Sequence, residues 1–394
     1  MRAMKPTRNV MLILCPMLVL GFLYYSSGRL HLRTWVQRPQ VDKDSSFSVG
    51  RVVASGIVKA QIEPVKQGRV EVVYDKQGFL IKPDGRLLLE LQYKYGNLSK
   101  EDCKPGYSGA KMTSIYPKFV KLAPMFLDQN FNRLSKIGTY PPPFGIKSQE
   151  KIINNILAET KKYGLGDDLD SLSCKKCIVI GNGGILFNKS LGSTIDKYDV
   201  VIRLNEAPVS GYEKDVGSKT TMRITYPEGA IQKPELYEKS SLFVLSAFKP
   251  SDFKWLKHIV FKEKLIPRGT DGFWKSVARA VPREAADMRI LNPYFIQEAA
   301  FQFIGLPHNN GHMGRGNIPT LGTVAITMAL HNCDEVAVVG FSYDMGNPQS
   351  PLHYYEKLKM LAIKDSWTHN ISKEKEFLRK LVTAGVIQDL TNGI

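Results

Sequence analysis

No internal repeat, no low-complexity segment and no block of five or six like charges occurs anywhere in the chain. Collagen-like and wholly disordered architectures are thereby excluded. Only one extended apolar stretch is present, near the amino terminus, which excludes a multi-span membrane protein. Cysteine is scarce, at 5 residues. What remains is a globular composition: 394 residues, 43% hydrophobic, 23% charged and 10% aromatic. That length suits one large domain or two small ones, with ample chain for a core. Lysine and arginine (54) outnumber aspartate and glutamate (37), for a net charge of +17. Such a balance suits an anionic partner, whether nucleic acid, a membrane surface or a phosphorylated substrate. The basic residues are dispersed, however, which argues against nucleic acid.

The amino terminus points to a compartment. Val10 to Tyr25 is uncharged and almost wholly apolar, with Arg2, Lys5 and Arg8 before it and Arg29, His31 and Arg33 after. A cleaved signal peptide competes with an anchor here, because the apolar core is short and follows a basic segment. Bulky Tyr24, Tyr25, Arg29 and Leu30 stand where a small-residue cleavage site is wanted, although Ser26, Ser27 and Gly28 lie between. Roughly sixteen apolar residues just span the thin bilayer of the early secretory pathway. The expectation is an uncleaved signal anchor: a cytosolic tail at 1–8, a transmembrane helix at 9–28, a stem with a hairpin at 29–95 and a luminal domain at 96–394.

Cys15 lies in the apolar stretch, leaving Cys103, Cys174, Cys177 and Cys333. Four cysteines in an oxidising lumen imply disulfides, with three possible pairings. Cys174-Lys-Lys-Cys177 has the spacing of half a zinc site, but no second C-x-x-C or H-x-x-x-H follows. Asn97-Leu-Ser, Asn188-Lys-Ser and Asn370-Ile-Ser are glycosylation acceptor triplets, common by chance but compatible with secretion.

From about residue 174 short apolar runs alternate with amphipathic stretches. Cys177–Ile180, Val200–Leu204, Thr221–Thr225, Leu242–Ser246, Met288–Leu291 and Glu335–Phe341 read as buried strands. Phe253–Lys264, Phe295–Ile304 and Leu321–Asn332 read as helices between them, and Lys151–Tyr163 and Lys373–Ala384 as flanking ones. This alternation predicts an α/β fold, a mostly parallel sheet with helices on both faces. Ligands in such sheets sit outside the carboxyl ends of the strands, so the residues following each strand are the candidates.

After the first strand comes Gly181-Asn182-Gly183-Gly184, where backbone N–H groups could approach a phosphate; a plain tight turn fits equally. The third glycine of the dinucleotide fingerprint is missing. Asn205 ends the next strand and could read a base or sugar edge, or merely cap a turn. Pro319-Thr320 opens an apolar helix whose free N–H groups suit an anion, or Thr320 simply caps it. His353 and His369 lie in a polar carboxyl-terminal segment, and histidine can act as a base or, when charged, hold a phosphate. Asp168-Leu-Asp170 has a metal-binding form but precedes the first strand, so a solvated turn is expected and no metal site is assigned.

Together these stretches resemble the animal sialyltransferases. The long motif of that family is matched by Cys177-Ile-Val-Ile-Gly-Asn-Gly-Gly, Asp199-Val-Val-Ile-Arg-Leu-Asn205 and Thr225-Tyr-Pro-Glu-Gly-Ala230. The short motif is matched by Pro319-Thr-Leu-Gly322, His331-Asn-Cys-Asp-Glu335 and Gly340-Phe-Ser-Tyr-Asp344, and the two last motifs by His353-Tyr-Tyr-Glu356 and His369 to Glu374. The resemblance implies a Rossmann-like sheet of the GT-A-variant type in a single-pass type II protein of the Golgi membrane. It implies CMP-sialic acid as donor, held by Asn182, Asn205, Thr320, Leu321, Gly322 and Gly340, with His353 and Tyr354 on the leaving phosphate and His369 as base. It further implies Cys177–Cys333 and Cys103–Cys174 pairs. Ser342 departs from the glycine common in relatives and is left out of the site. The implied reaction is inverting and needs no metal or other cofactor: sialic acid passes to the 3-hydroxyl of terminal galactose on N-acetyllactosamine-type glycans of glycoproteins, or on glycolipids. Two rivals remain from the residues alone. A nicotinamide-dependent dehydrogenase would use Asp199 or Glu206 on a ribose, and a membrane-tethered glycan-binding protein would need no base.

Overall fold

The computed structural model describes residues 73–81, 102–263, 272–342, 346–364 and 366–394. The anchor, most of the stem, Cys15 and Asn97 lie outside the described residues, and within these no helix is long and apolar enough to cross a membrane. Seven strands build one parallel sheet: β3 (Lys176–Ile180), β4 (Val200–Leu204), β5 (Met222–Thr225), β6 (Leu242–Leu245), β7 (Met288–Ile290), β8 (Glu335–Val339) and β9 (Gln388–Asp389). A separate hairpin pairs β1 (Val73–Tyr74) with β2 (Leu80–Ile81) around Gly78.

Strand order across the sheet is β7-β6-β5-β4-β3-β8-β9. The chain starts in the middle, steps outward to β7, then returns to the other side of β3. The reversal between β3 and β8 opens a crevice at their carboxyl ends, the place where parallel sheets bind ligands. Alternate residues of β3 face opposite cores, as period two requires: Cys177 and Val179 join the larger apolar cluster, Ile178 and Ile180 the smaller. Both faces are thus covered, and every residue of β4 is buried.

Helix α5 (Leu321–Asn332) supplies much of the larger core, buried at all but its last residue, with Thr320 as its N-cap. Such all-round burial explains its weakly amphipathic sequence. The other main helices are α1 (Tyr107–Ile115), α2 (Glu150–Thr160), α3 (Pro250–Val260), α4 (Tyr294–Glu298) and α6 (Ile371–Thr383). The expected helix at 295–304 divides: α4 runs into a π-helical turn, Ala299–Ile304, ended by left-handed Gly305. Helix α3 begins earlier than expected, because Pro250 takes its first position and Asp252 caps the N–H groups of Phe248 and Lys249.

Both disulfides implied by the resemblance are present, Cys103–Cys174 and Cys177–Cys333. They fasten the amino end of the sheet: Cys174 precedes β3, Cys177 lies within it, and Cys333 ends α5 just before β8. Asp334 reinforces this end, accepting from the N–H groups of Gly106 (2.6 Å) and Lys175 (2.7 Å). Covalent fixing at one end leaves the carboxyl end of the sheet to carry a site.

The buried Cys177–Cys333 bridge spans 156 residues, and removing a native disulfide typically costs about 2–5 kcal/mol. Replacing both cysteines by alanine is expected to lower the melting temperature of the purified protein by at least about 4 °C. A calorimetric shift below about 1 °C would show that the bridge does not restrain the unfolded chain.

Candidate active site

A cleft of about 610 Å³ opens at the carboxyl ends of β3, β4, β5, β6 and β8. Gly181, Asn182 and Gly183 line it from the turn after β3, and Asn205 from the end of β4. Thr320, Leu321 and Gly322 enter from the start of α5, Gly340 from the end of β8, and His353 and His369 from the carboxyl-terminal segments. Residues separated by nearly 190 positions thus converge on one cavity, which brings together every expected donor and catalytic residue except Tyr354.

The glycine turn is shaped by the end of β8. A Cβ on Gly181 or on Gly183 would stand 2.5 Å from the Gly340 carbonyl oxygen, so neither position admits a side chain. Gly340 itself is left-handed at φ 72°. The N–H groups of Gly181, Gly183 and Gly184 donate to the carbonyls of Val339, Gly340 and Leu352 at 2.8, 2.9 and 3.1 Å. Those amides are therefore not offered to a phosphate. The glycines instead let three backbone segments close up, leaving Asn182 as the chemically distinctive group of the turn. Its Oδ1 is buried without a donor among the described residues, and its side chain also bonds Tyr355.

Asn205 takes a left-handed conformation (φ 53°) after β4. Buried Arg223 braces it, donating to the carbonyls of Asn205 (2.7 Å) and Ala207 (3.0 Å) and pairing with Glu238. Arg203 is buried too, giving hydrogen bonds to Thr220, Gly217 and Lys219; desolvation brings its pKa down to about 10. Both arginines support the cleft floor from behind and do not line it.

His369 is held from two sides. Its Nδ1–H donates to the Ile318 carbonyl (2.8 Å), and its backbone N–H donates to Ser366 Oγ (3.2 Å). A carbonyl only accepts, so Nδ1 carries the proton and Nε2 of the neutral ring is a lone-pair acceptor. Asn370 next caps α6, accepting from the Lys373 N–H at 3.2 Å. One turn into α6, fully buried Glu374 accepts from Thr320 N–H (3.0 and 3.1 Å), Thr320 Oγ1 (2.7 Å) and Thr323 Oγ1 (2.6 Å). Burial pushes its carboxyl group above the usual range. Glu374 thereby takes the Thr320 amide at the start of α5, and the cleft is left with the first-turn residues Leu321 and Gly322.

His353 pairs with Glu356 through Nδ1, and its ring stacks on Tyr355 (centroids 5.3 Å apart, planes at 9°). The segment crosses the glycine turn directly, since Gly183 bridges His353 and Tyr354 N–H donates to the Asn182 carbonyl (3.0 Å). Tyr354 is placed differently from expectation. Its side chain turns into the smaller core, the hydroxyl donating to the Pro208 carbonyl and the ring meeting Tyr212 edge-on. Burial pushes that hydroxyl up to about 12. Tyr354 therefore contributes its backbone to the site, because the alternation that aims His353 into the cleft sends its neighbour the other way.

The remaining wall comes from Tyr226 and Glu228 after β5, Phe248 and Lys249 after β6, and Trp274, Met313, Phe341, Ser342 and Trp367. Glu228 and Lys249 form a 2.7 Å ion pair, with Asp252 3.1 Å from the same ammonium. Ser342, left out on sequence grounds, does line the cavity. The strand-end rule could have found the residues after β5 and β6; nothing in the sequence distinguishes Trp274 or Trp367.

Asp168 and Asp170 lie on an exposed helical turn outside the cleft, where Asp170 accepts from the N–H groups of Leu165 and Gly166. Asp199 lies at the amino end of β4, accepting from Lys176 N–H (2.7 Å), the wrong end of the sheet for the ribose of a dinucleotide. Glu206 is engaged with Lys275 (3.4 Å). Asn188 is exposed, whereas Asn370 serves as the helix cap described above.

A family model described as glycosyltransferase family 29 (sialyltransferase) matches residues 126–386. Among curated relatives, a CMP-N-acetylneuraminate-beta-1,4-galactoside alpha-2,3-sialyltransferase of Homo sapiens is 59% identical over 387 residues, covering 98% of each chain. A lactosylceramide alpha-2,3-sialyltransferase of Homo sapiens is 40% identical over 299 residues, covering 75% of this chain and 71% of that one. A crystal structure of a mammalian sialyltransferase aligns with a TM-score of 0.49 at 26% identity, covering 61% of this chain and 79% of that one. The chain belongs to glycosyltransferase family 29, the sialyltransferases.

Proposed function

We propose that this chain transfers sialic acid from CMP-sialic acid to the 3-hydroxyl of terminal β-galactosides, with inversion and without a metal ion, on a sheet of the GT-A-variant type. The full-length similarity to a β1,4-galactoside enzyme favours N-acetyllactosamine-type acceptors, and the lactosylceramide relative extends the class to glycolipids. The observation that carries the chemistry is the state of His369. Its Nδ1 is tied to Ile318, so Nε2 is the basic nitrogen, in a cavity that also holds the glycine turn and His353. This arrangement suits a general base; a glycan-binding protein would have no need of it.

In the proposed reaction the galactose O3 gives its proton to His369 Nε2 as it attacks the anomeric carbon of sialic acid. The bond from O3 to that carbon forms while the bond from the carbon to the CMP phosphate oxygen breaks, and CMP leaves with its electron pair. His353, tied to Glu356 at Nδ1, turns its other nitrogen to the departing phosphate. Asn182 Oδ1, buried and unmatched, accepts a donor from the cytidine portion, with Asn205 beside it. One monoester phosphate asks for less neutralisation than a diphosphate, so His353 and the α5 start suffice. Two disulfides fit a luminal, oxidising setting, and together with the apolar amino-terminal stretch they support a single-pass type II protein of the Golgi membrane.

A positioned base contributes roughly 10²–10⁴-fold. His369→Ala is expected to lower kcat at least about a hundredfold while the affinity for CMP, read by calorimetry, stays within about threefold; a loss below tenfold removes His369 from the role. His353→Ala is expected to lower kcat by more than about tenfold, and an unchanged kcat would separate it from the leaving group. Transfer measured in EDTA is expected to match that in buffer alone; activity abolished by EDTA and restored by manganese would return Asp168 and Asp170 to consideration.

A further inference from the structure

Trp367 lines the cleft two residues before His369, yet 56% of its surface is exposed. The segment that carries it is tightly placed: Gly316 N–H donates to the Trp367 carbonyl (2.9 Å) and Ile318 N–H to the Thr368 carbonyl (3.3 Å). The next bond in that series is the one from His369 Nδ1 to Ile318. Indole and imidazole are therefore borne by one short segment whose backbone is pinned to residues 316–318, and both line the same cavity. A large aromatic face left open to water beside a reactive group is a surface that binding would cover.

The two substrates make different demands. The donor is anionic, and its candidate contacts gather on the glycine turn, the end of β4 and the start of α5. A galactoside is neutral, so charge cannot hold it. It offers hydroxyls and one apolar face, formed by the ring hydrogens on the side opposite the axial 4-hydroxyl. Its O3 must come within about 3 Å of His369 Nε2 for proton transfer, and a pyranose ring is only about 5 Å across on the length scale of aromatic contacts. A sugar in that position lies within reach of whatever stands beside the base.

We infer that Trp367 is the platform on which the acceptor galactose stacks, its indole face covering the apolar side of the sugar while His369 takes the proton from O3. The inference rests on the proposed galactoside transfer and adds the residue that positions the acceptor. Stacking of this kind recognises the galactose itself and is indifferent to the linkage beneath it. It therefore serves β1,3- and β1,4-linked acceptors alike.

The test uses the full-length protein in detergent with Trp367→Ala and Trp367→Phe variants. For Trp367→Ala, KM for N-acetyllactosamine is expected to rise at least tenfold while KM for CMP-sialic acid stays within twofold. Trp367→Phe, which keeps an aromatic face, is expected to bring the acceptor KM back to within about threefold of the parent. Calorimetric titration of lactose into the CMP-loaded protein adds a measurement independent of turnover: binding is expected in the parent and weakened at least tenfold in Trp367→Ala, with CMP affinity preserved as evidence of folding. An acceptor KM and lactose affinity unchanged in Trp367→Ala would overturn the platform, as would a rise confined to the donor KM. A parent protein that binds lactose but transfers no sialic acid would instead overturn the proposed reaction and leave the lactose comparison to decide on Trp367.

Discussion

One buried carboxylate ties the reactive segment to the rest of the fold. Glu374 lies in the first turn of α6, completely out of water, and receives the Thr320 amide and both threonine hydroxyls at the start of α5. Helix α5 packs through its whole length into the larger core, so its position is fixed. Glu374 carries that fixity to α6, and through the Asn370 cap to His369 just before it. A carboxyl group buried this deeply is costly unless its oxygens are satisfied, and here four hydrogen bonds meet them. The same burial that raises the group's pKa makes the link intolerant of misplacement. His369 sits on an irregular segment, yet the Ile318 carbonyl on one side and the capped start of α6 on the other set its place.

The start of α5 accordingly has two jobs in one turn. Its first amide goes to the protein's own anion, and its next residues, Leu321 and Gly322, face the cavity. The amino end of a helix often invites an external anion; here that invitation is partly answered from within. A similar economy governs the glycine turn. Its amides bond the ends of β8 and of the 352–354 segment, so backbone closeness rather than phosphate binding explains why glycine stands at 181 and 183.

Most of the sheet was readable from the sequence because buried parallel strands carry short apolar runs, and the six expected from 177 to 341 all form, to within a residue or two at most ends. The seventh, β9, was not readable: two residues, Gln388 and Asp389, neither apolar, add to β8 through backbone bonds alone. The division of the 295–304 stretch into α4 and a π-helical turn left no trace in the apolar spacing either. In the site, residues that follow strands were legible since topology directs ligands there. The side-chain direction of Tyr354 was not, because it depends on how the 351–355 segment lies across the glycine turn. Trp274 and Trp367 come from loops without periodicity, and only the assembled chain shows that they share a wall with the histidines.

The sheet distributes its functions along the strand axis. At the amino end, two disulfides and Asp334 join α1, β3 and β8 so that little can move. At the carboxyl end the chain leaves these paired strands in different directions at the switch between β3 and β8, and the cleft opens just beyond them. The clamp and the cleft are thus two ends of one construction: β3 and β8 stay paired from Lys176 and Glu335 to Ile180 and Val339, and the Gly181 and Gly183 N–H groups carry that pairing into the turn. The close approach that excludes a side chain at Gly181 is held locally, by the Gly181 N–H on the Val339 carbonyl and the Gly183 N–H on the Gly340 carbonyl. Two further segments, those that carry His353 and His369, complete the cleft. Of these, only the second is tied to a core helix by a buried charge. Of the two histidines, the one assigned to take the proton is also the one whose segment leads into the helix anchored by Glu374.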